Sequence, residues 1–297
     1  MRVRVQPEVS ILIVNYRTVS ELTRCLQSLA QQQDVTYEVI IVDNSGDPHE
    51  KQQLEALCHA YVHCVFSEQN LGFGRANNLA ATYANAELLL ILNPDTTLPD
   101  ATLLRRYIDR FKTGHVAMLA PLVVESEKHK LVYPRKRYPS QRLCKKTDFS
   151  TLAGDVAWVL GACMMMRREG YMRIGGFDSD YFMYGEDADI CWRIRAELGA
   201  IGFDEGLAVH HVGGASEKQA ISLAKWMRKR QGQYLFFKKR YHVEDVQRIA
   251  LKQRMRASLR LAKNALLNLW CGPSARRLDD DARATATVAV TAEVLVR

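Results

Sequence analysis

Apolar residues in this chain come as short unbroken runs separated by stretches with helical spacing. VSILIV at 9–14, EVIIV at 38–42, VHCVF at 62–66 and ELLLIL at 87–92 are too short for ordinary helices. They lack the alternation of a strand with one wet face, so they predict strands covered on both sides. Between the first two runs, Leu22, Leu26 and Leu29 recur at helical spacing behind Thr18-Val19-Ser20-Glu21, a capping-box sequence. Residues 53–59 and 74–85 predict a second and a third helix. This order of strand and helix predicts an α/β fold around a mostly parallel sheet.

Asp100 has the position of a helix cap, and the chain from there predicts a helix to about Thr113, then a strand at 116–120. Regularity then weakens. Pro134 to Lys146 is basic and broken by prolines, with the length of a lid or binding loop. Apolar pattern returns as a strand at 157–167, and a helix is expected from Glu186 to Gly199 with Ile190, Ile194 and Leu198 on one face. Beyond Glu217 the pattern is that of two basic helices. The tail from Ser274 is rich in Ala, Thr and Val without period, and is expected to be disordered. The expected domains are therefore 1–216, a basic helical extension at 217–273, and the tail at 274–297.

Composition adds three constraints. At 297 residues and 47% apolar, the chain is ample for a sizeable core without staples. Its seven cysteines are scattered and form no Cys-x-x-Cys pair, which favours neither a disulfide framework nor a zinc site and points to a reducing cytosol. No run approaches the ~20 apolar residues that span a bilayer, and the short first run after two arginines predicts no cleaved signal peptide. Charge is uneven: residues 216–270 hold fourteen Lys and Arg against three acids, although the whole chain carries only +8. Such a region fits a polyanionic partner, anionic lipid or nucleic acid, or a solvated helix face. Interleaved aromatics, including Trp226, Phe236, Tyr241 and Trp270, suit a lipid surface, and composition fits a basic helical cap packed on the catalytic domain equally well.

Candidate chemistry gathers where strands end, because open α/β sheets bind ligands at the carboxyl edge. Asp43 closes the second strand; it is either a turn residue or an acceptor for the imide N–H of a pyrimidine base. Asn70-Leu71-Gly72-Phe73-Gly74-Arg75 enters a helix and offers amide N–H groups to a phosphate or sugar. It is not a dinucleotide fingerprint, since Asn77 stands where the third glycine belongs. Asn93-Pro94-Asp95 follows the fourth strand and offers one charged and one neutral oxygen, a weak cation site that a substrate diphosphate would complete with Mg²⁺ or Mn²⁺. Asp178, Glu186, Asp187 and Asp189 put four acids near one helix start, where the helix dipole lowers a carboxylate pKa and crowding or burial raises it; the cluster is either a working base or a helix start decorated with favourable acids. His210 and His211 point to opposite faces of a strand, so one at most reaches a common pocket.

Together these motifs resemble the inverting family 2 glycosyltransferases with a GT-A fold, and most closely their rhamnosyltransferase-like bacterial branch. The resemblance covers residues 9 to 216 and rests on ordered pieces. They are Asn15-Tyr16-Arg17, Val42-Asp43-Asn44, Asn70 to Phe73 with Asn78, Asn93-Pro94-Asp95, Gly161-Ala162, Gly175 to Asp178, Glu186-Asp187 with Cys191-Trp192-Arg193, and His211 to Ser216. It implies a nucleotide-diphospho-sugar transferase fold in which Asp43 meets the base, with Asn15, Arg17, Asn70, Gly72, Arg75, Asn78 and Asn93 around the donor. Asp95 with His211 would hold Mg²⁺ or Mn²⁺, and Asp187 beside Glu186 would be the base. Asn93 departs from the family's Asp-x-Asp pattern.

The implied donor is dTDP-rhamnose, with a UDP-sugar next, and the implied acceptor is a glycan, lipid-linked through a polyprenyl diphosphate. Arg135, Arg137, Trp192 and Arg193 are its candidate contacts. The implied location is cytoplasmic, peripheral on the inner face of the membrane, with no nucleic-acid partner. A nucleic-acid-binding protein and a non-catalytic membrane scaffold are the competing readings.

Overall fold

A computed structural model describes residues 6–126, 129–213, 223–272 and 274–295. Its centre is a single nine-stranded sheet in the order β3-β2-β1-β4-β8-β6-β9-β5, with β7 paired to β6. The expected runs form β1 (Val9–Asn15), β2 (Tyr37–Asp43), β3 (Val62–Phe66) and β4 (Leu88–Leu92). Pairs β1 with β2, β2 with β3 and β1 with β4 are parallel, so their carboxyl ends open on one edge.

Side-chain alternation splits this sheet between two cores. Ile11 and Ile13 of β1 join Leu22 and Leu29 of α1 (Val19–Ala30), Leu54 of α2 (Pro48–Glu55) and Tyr107 and Phe111 of α4 (Leu103–Thr113). Leu12 and Val14 face the other way. They meet Ala76 and Ala80 of α3 (Phe73–Thr82), Tyr171 of α5 (Arg168–Arg173) and Ile190 and Ile194 of α6 (Glu186–Glu197).

The second half of the sheet positions the chemistry. β8 (Cys163–Arg167) runs antiparallel to β4 and to β6 (Met118–Glu125), and β9 (Ile201–His211) runs parallel to β6. β7 (Lys130–Val132) extends the sheet from β6. The two-residue β5 (Thr96–Thr97) pairs antiparallel with His211 and His210. That short ladder brings the turn after β4 against the end of β9.

Several expectations are corrected. The strand expected at 157–167 begins only at Cys163, because the chain turns at Gly161 and Ala162. Thr18 does not cap α1; its hydroxyl donates to Asn15 Oδ1 at 3.0 Å. Cys58 and Cys64 are joined as one local disulfide, against the expectation of none. The tail is not disordered: α9 (Ala275–Leu295) buries Ala284, Thr287, Thr291 and Val294. Those residues do recur at helical spacing, but small and hydroxylated side chains hide the period from a hydropathy reading.

The two basic helices are α7 (Leu223–Arg240) and α8 (Val243–Cys271). With α9 they enclose a third core that includes Tyr138, Tyr181, Phe236, Phe237, Tyr241 and Val290. The expected boundary at 216/217 lies outside the described residues, as do Gly214, Ala215 and Ser216.

The basic loop is anchored at its carboxyl end. Asp245, fully buried near the start of α8, accepts the backbone N–H groups of Lys145, Lys146 and Thr147 at 2.7, 2.9 and 2.7 Å. It also takes the Thr147 hydroxyl and Arg248. Burial opposes its charge, but the backbone donors outweigh that and hold its pKa well below the aspartate range. Asp245→Ala leaves three N–H groups without their acceptor and is expected to destabilise the fold by on the order of 3 kcal/mol in urea denaturation. A change under ~0.5 kcal/mol would show that the loop does not need this anchor.

Candidate active site

Asp95 is a buried carboxylate at the carboxyl edge. Its side chain is 7% exposed, with Oδ1 3.2 Å from His211 Nε2 and Oδ2 accepting the Gly213 N–H at 3.1 Å. The Val212 N–H donates to its carbonyl at 3.0 Å, which continues the β5–β9 pairing past the strand end. Burial works against the charge, but His211 and the Gly213 amide more than offset it and hold Asp95 below the usual aspartate pKa. Asn93 Nδ2 lies 3.3 Å from the same His211 nitrogen. Strand register settles the histidine pair: His211 faces the acids and His210 is exposed.

A second cluster forms where β1 and β2 end side by side. Asn15 and Asp43 are register partners, and Asn15 Nδ2 donates to Asp43 Oδ1 at 3.1 Å and to Glu50 Oε2 at 2.8 Å. Asp43 also accepts the Ser45 N–H and hydroxyl. Arg17 adopts a positive φ of 57°, with its N–H donated to Glu50 Oε2 at 3.0 Å. Asn44, buried behind Asp43, donates to Asn70 Oδ1 at 2.9 Å and accepts the Leu71 N–H at 2.8 Å. Asn70 in turn accepts the Gly72 N–H. Glu50 and Asn44 were missed by the sequence reading; both resemble ordinary polar turn residues until the strand ends are set side by side.

The two acidic turns meet across Gly161 and Ala162. Asn93 donates its backbone N–H to the Ala162 carbonyl at 2.9 Å. On the other side, the Gly161 N–H donates to the Asp187 carboxylate, and a Cβ at Gly161 would collide with that carboxylate. One dipeptide thus separates the Asp95 turn from the start of α6. Asp187 is half-buried, while Glu186 is buried with Oε2 lacking an acceptor or donor partner among the described residues. Burial raises both pKa values, Asp187 against the Gly161 amide and Glu186 with further help from the Asp187 charge.

Residues 10–175 match the family described as Glycosyl transferase family 2. The chain belongs to that family. Among similar proteins, Rhamnosyltransferase WbbL of Escherichia coli (strain K12) is 27% identical over 209 residues, covering 63% of this chain and 76% of its own. N-acetylglucosaminyl-diphospho-decaprenol L-rhamnosyltransferase of Mycobacterium tuberculosis (strain CDC 1551 / Oshkosh) is 24% identical over 211 residues, covering 61% of this chain and 68% of its own. The structure of mannosyltransferase PcManGT from Pyrobaculum calidifontis in complex with GDP-Man and Mn²⁺ superposes with a TM-score of 0.58 at 17% identity. It covers 99% of this chain and 88% of that one. The fold is thus the GT-A fold of this family, with a helical extension added.

Family 2 membership gives these groups a common setting, and the structure distinguishes them. Asp95 and His211 converge within 3.2 Å, a donor set of one carboxylate and one imidazole suited to a divalent cation that takes its other ligands from a substrate. His211 Nδ1 is buried and without a partner among the described residues. Asn78 is turned inward to serve the fold: it accepts the Tyr171 hydroxyl and the Phe177 N–H, and donates to the Phe177 carbonyl. Arg75 Nε is held by the Ser179 carbonyl at 2.7 Å.

Of the candidate acceptor contacts, Arg193 is buried and bound to Asp189 at 2.9 Å and to the Ile174 and Gly176 carbonyls. Trp192 packs among Tyr138, Phe149 and Phe236. Both are therefore tied into the core beneath the site. Arg135 and Arg137 keep exposed side chains on the basic loop.

Support for α6 comes from a residue the sequence reading counted only as one acid among four. Asp189 is fully buried, and its carboxylate accepts Arg193 Nε at 2.9 Å and Arg240 Nε of α7 at 2.7 Å. Because the Gly161 contact decides where Asp187 sits, Gly161→Ala is expected to keep the fold and displace the carboxylate. A misplacement of ~1 Å costs roughly 10²-fold in turnover. Transferase assays beside thermal melts check this; a fully active Gly161→Ala enzyme would mean that turnover does not need Asp187 held by this contact.

Proposed function

We propose that this family 2 glycosyltransferase moves a sugar, L-rhamnose from dTDP-rhamnose in the favoured reading, onto a hydroxyl of a lipid-linked glycan with inversion. The observation that carries it is the placement of Asp95 and Asp187 on either side of Gly161-Ala162. One acid is tuned to stay charged and the other to take up a proton. The names of the Escherichia coli and mycobacterial relatives support rhamnose, and the mycobacterial name supports an acceptor on a polyprenyl diphosphate. A UDP-sugar donor is the alternative, since no residue described above distinguishes thymine from uracil.

In this reading the nucleoside lies along the edge made by Asn15, Asp43 and Asn70, with the Gly72 entry to α3 beside it. Asp95 and His211, with Asn93 beside them, would hold Mg²⁺ or Mn²⁺, which would supply charge neutralisation to the diphosphate leaving group. The Mn²⁺ and GDP-Man of the mannosyltransferase with a similar fold support that assignment. Asp187 takes the proton of the acceptor hydroxyl as its oxygen bonds to the anomeric carbon. The bond from that carbon to the diphosphate oxygen breaks on the opposite face. Glu186, protonated through burial, keeps the neighbouring charge low. Arg135 and Arg137 are placed on the loop where an acceptor diphosphate would be met.

Asp187→Asn is expected to lower turnover ~10²- to 10⁴-fold with donor affinity nearly unchanged, whereas Asp95→Asn weakens donor binding in the presence of Mn²⁺. Titration calorimetry with a panel of nucleotide sugars, with and without the cation, checks both. If no donor binds, or if both variants turn over normally, the enzyme reading is wrong and the scaffold reading takes its place. Because a base must be deprotonated and Asp187 is raised, activity should rise with pH along an acid limb above the ordinary aspartate value of about 4. A limb at or below that value would remove Asp187 from the role.

Attachment to the inner membrane surface belongs to the same reading. Among the described residues no helix is long and apolar enough to cross a membrane. One face of α8 nevertheless exposes Leu251, Met255, Leu259, Leu266 and Trp270, the last 89% exposed. Lys252, Arg256 and Lys263 flank that face, and each basic residue near an anionic surface is worth ~1 kcal/mol. Leu259→Glu with Trp270→Ser should abolish sedimentation with phosphatidylglycerol vesicles while leaving donor binding intact. Unchanged sedimentation would show that this face is not the attachment.

A further inference from the structure

The three carboxyl-terminal helices enclose a cleft of about 250 Å³, roughly eight times the volume of a water molecule. Arg230 of α7, Arg256 and Arg260 of α8 and Arg283 of α9 line it, with Asp280 as the one carboxylate among its lining residues. Asp280 lies 3.2 Å from Arg260. The adjacent acids are turned elsewhere: Asp279 accepts the Trp226 indole N–H and Asp281 accepts the Asn264 amide. Arg283 stacks 5.1 Å over the Trp226 ring, and Arg230 donates to Gln233 at 2.6 Å. Small residues at the floor, Ala257 and Ala284, leave the space open.

Gathering four guanidinium groups around one carboxylate is unfavourable without a counter-ion. Arg230 Nε is moreover buried and lacks an acceptor among the described residues. Burial, with the like charge of Arg283, makes its cation costly and holds its pKa below the usual guanidinium range. A planar fork of N–H donors with a missing acceptor is the arrangement that phosphoryl oxygens satisfy bidentately.

We propose that this cleft binds a phosphoryl anion, a phosphate or diphosphate, at a site of its own outside the donor site. The chemistry is the same whether the group is a soluble phosphate or the headgroup of a phospholipid or polyprenyl phosphate. It does not depend on the donor reading, and it draws on a different face of α8 from the exposed apolar one.

The test uses the full chain in EDTA, which removes cation-dependent binding at Asp95. Inorganic pyrophosphate is titrated at constant ionic strength, with thermal stability and calorimetry as readouts. Arg260→Gln/Arg283→Gln alters two exposed positions of the cleft, and Lys130→Gln, exposed on β7 outside it, controls for general charge. If the ligand is soluble, pyrophosphate stabilises wild type and Lys130→Gln, and binds the double variant at least tenfold more weakly. If the ligand is a headgroup, pyrophosphate has no effect. Phosphatidic acid vesicles then bind wild type and Lys130→Gln alike and the double variant tenfold more weakly. Absence of both effects, or an equal loss in Lys130→Gln, overturns the proposal.

Discussion

The two acidic turns at the carboxyl edge are referred to one stretch of backbone, Gly161-Ala162. Its amide points at the carboxylate of Asp187 and its next carbonyl receives the amide of Asn93. Turns whose acids lie ninety-two positions apart in sequence are thereby tied to a common piece of backbone. A Cβ at Gly161 would take the volume that the carboxylate occupies, so glycine there lets Asp187 sit against the backbone. This also accounts for the shortness of β8: the chain must leave the extended conformation just before Cys163 to present that amide.

The helical extension is part of the same device. Gly232 of α7 lies against the Tyr184 carbonyl, and Gly185 lies against the Gly232 carbonyl, so a side chain on either glycine would force the helix away from the start of α6. Tyr184 and Gly185 both take positive φ there, at 71° and 95°. A backbone in that region is retained where surrounding contacts over-determine it. Arg240 of α7 ties to Asp189 and Lys239 ties to Asp178 and Asp180, each at 2.6 to 2.7 Å. Helix α7 therefore acts as a back-plate for Glu186 and Asp187, and the basic composition of the region has an internal use as well as an external one.

Much of this was legible beforehand, and for identifiable reasons. Strands β1, β2 and β4 are buried on both faces, so their apolar runs are unambiguous, and the turns that follow them stand at the ligand edge by topology alone. Asp43, Asp95 and Asp187 could be placed because each ends a strand or starts a helix. Asn78 and Arg193 misled because motif position does not reveal which way a polar side chain turns. One clamps the Gly175-Gly176-Phe177 turn and the other is half of a buried ion pair. Asp245 and Asp189 each show only an ordinary helical pair nearby, with Arg248 and Arg193; the partners that fix their structural roles are about a hundred and about fifty residues away, respectively. The helix α9 was hidden by side chains too small to register as a hydrophobic stripe.

The two acids at the centre of the site show how environment assigns roles to identical groups. Asp95 is buried, which alone would neutralise it, yet an imidazole and a backbone amide keep it anionic. Asp187 has only the Gly161 amide to oppose burial, so burial prevails and its proton affinity rises. Divergent shifts at one sheet edge separate a carboxylate kept charged from one whose proton affinity is raised, the division that the proposed cation-holding and base roles require. The separation is set by donors: His211 reaches Asp95 through the β5–β9 ladder, while no cationic side chain reaches Asp187 among the bonds found at the start of α6. Had Arg193 or Arg240 pointed to Asp187 and not to Asp189, the Asp187 carboxylate would have been held as an anion. The buried pairing at Asp189 is thus what leaves Asp187 free to titrate.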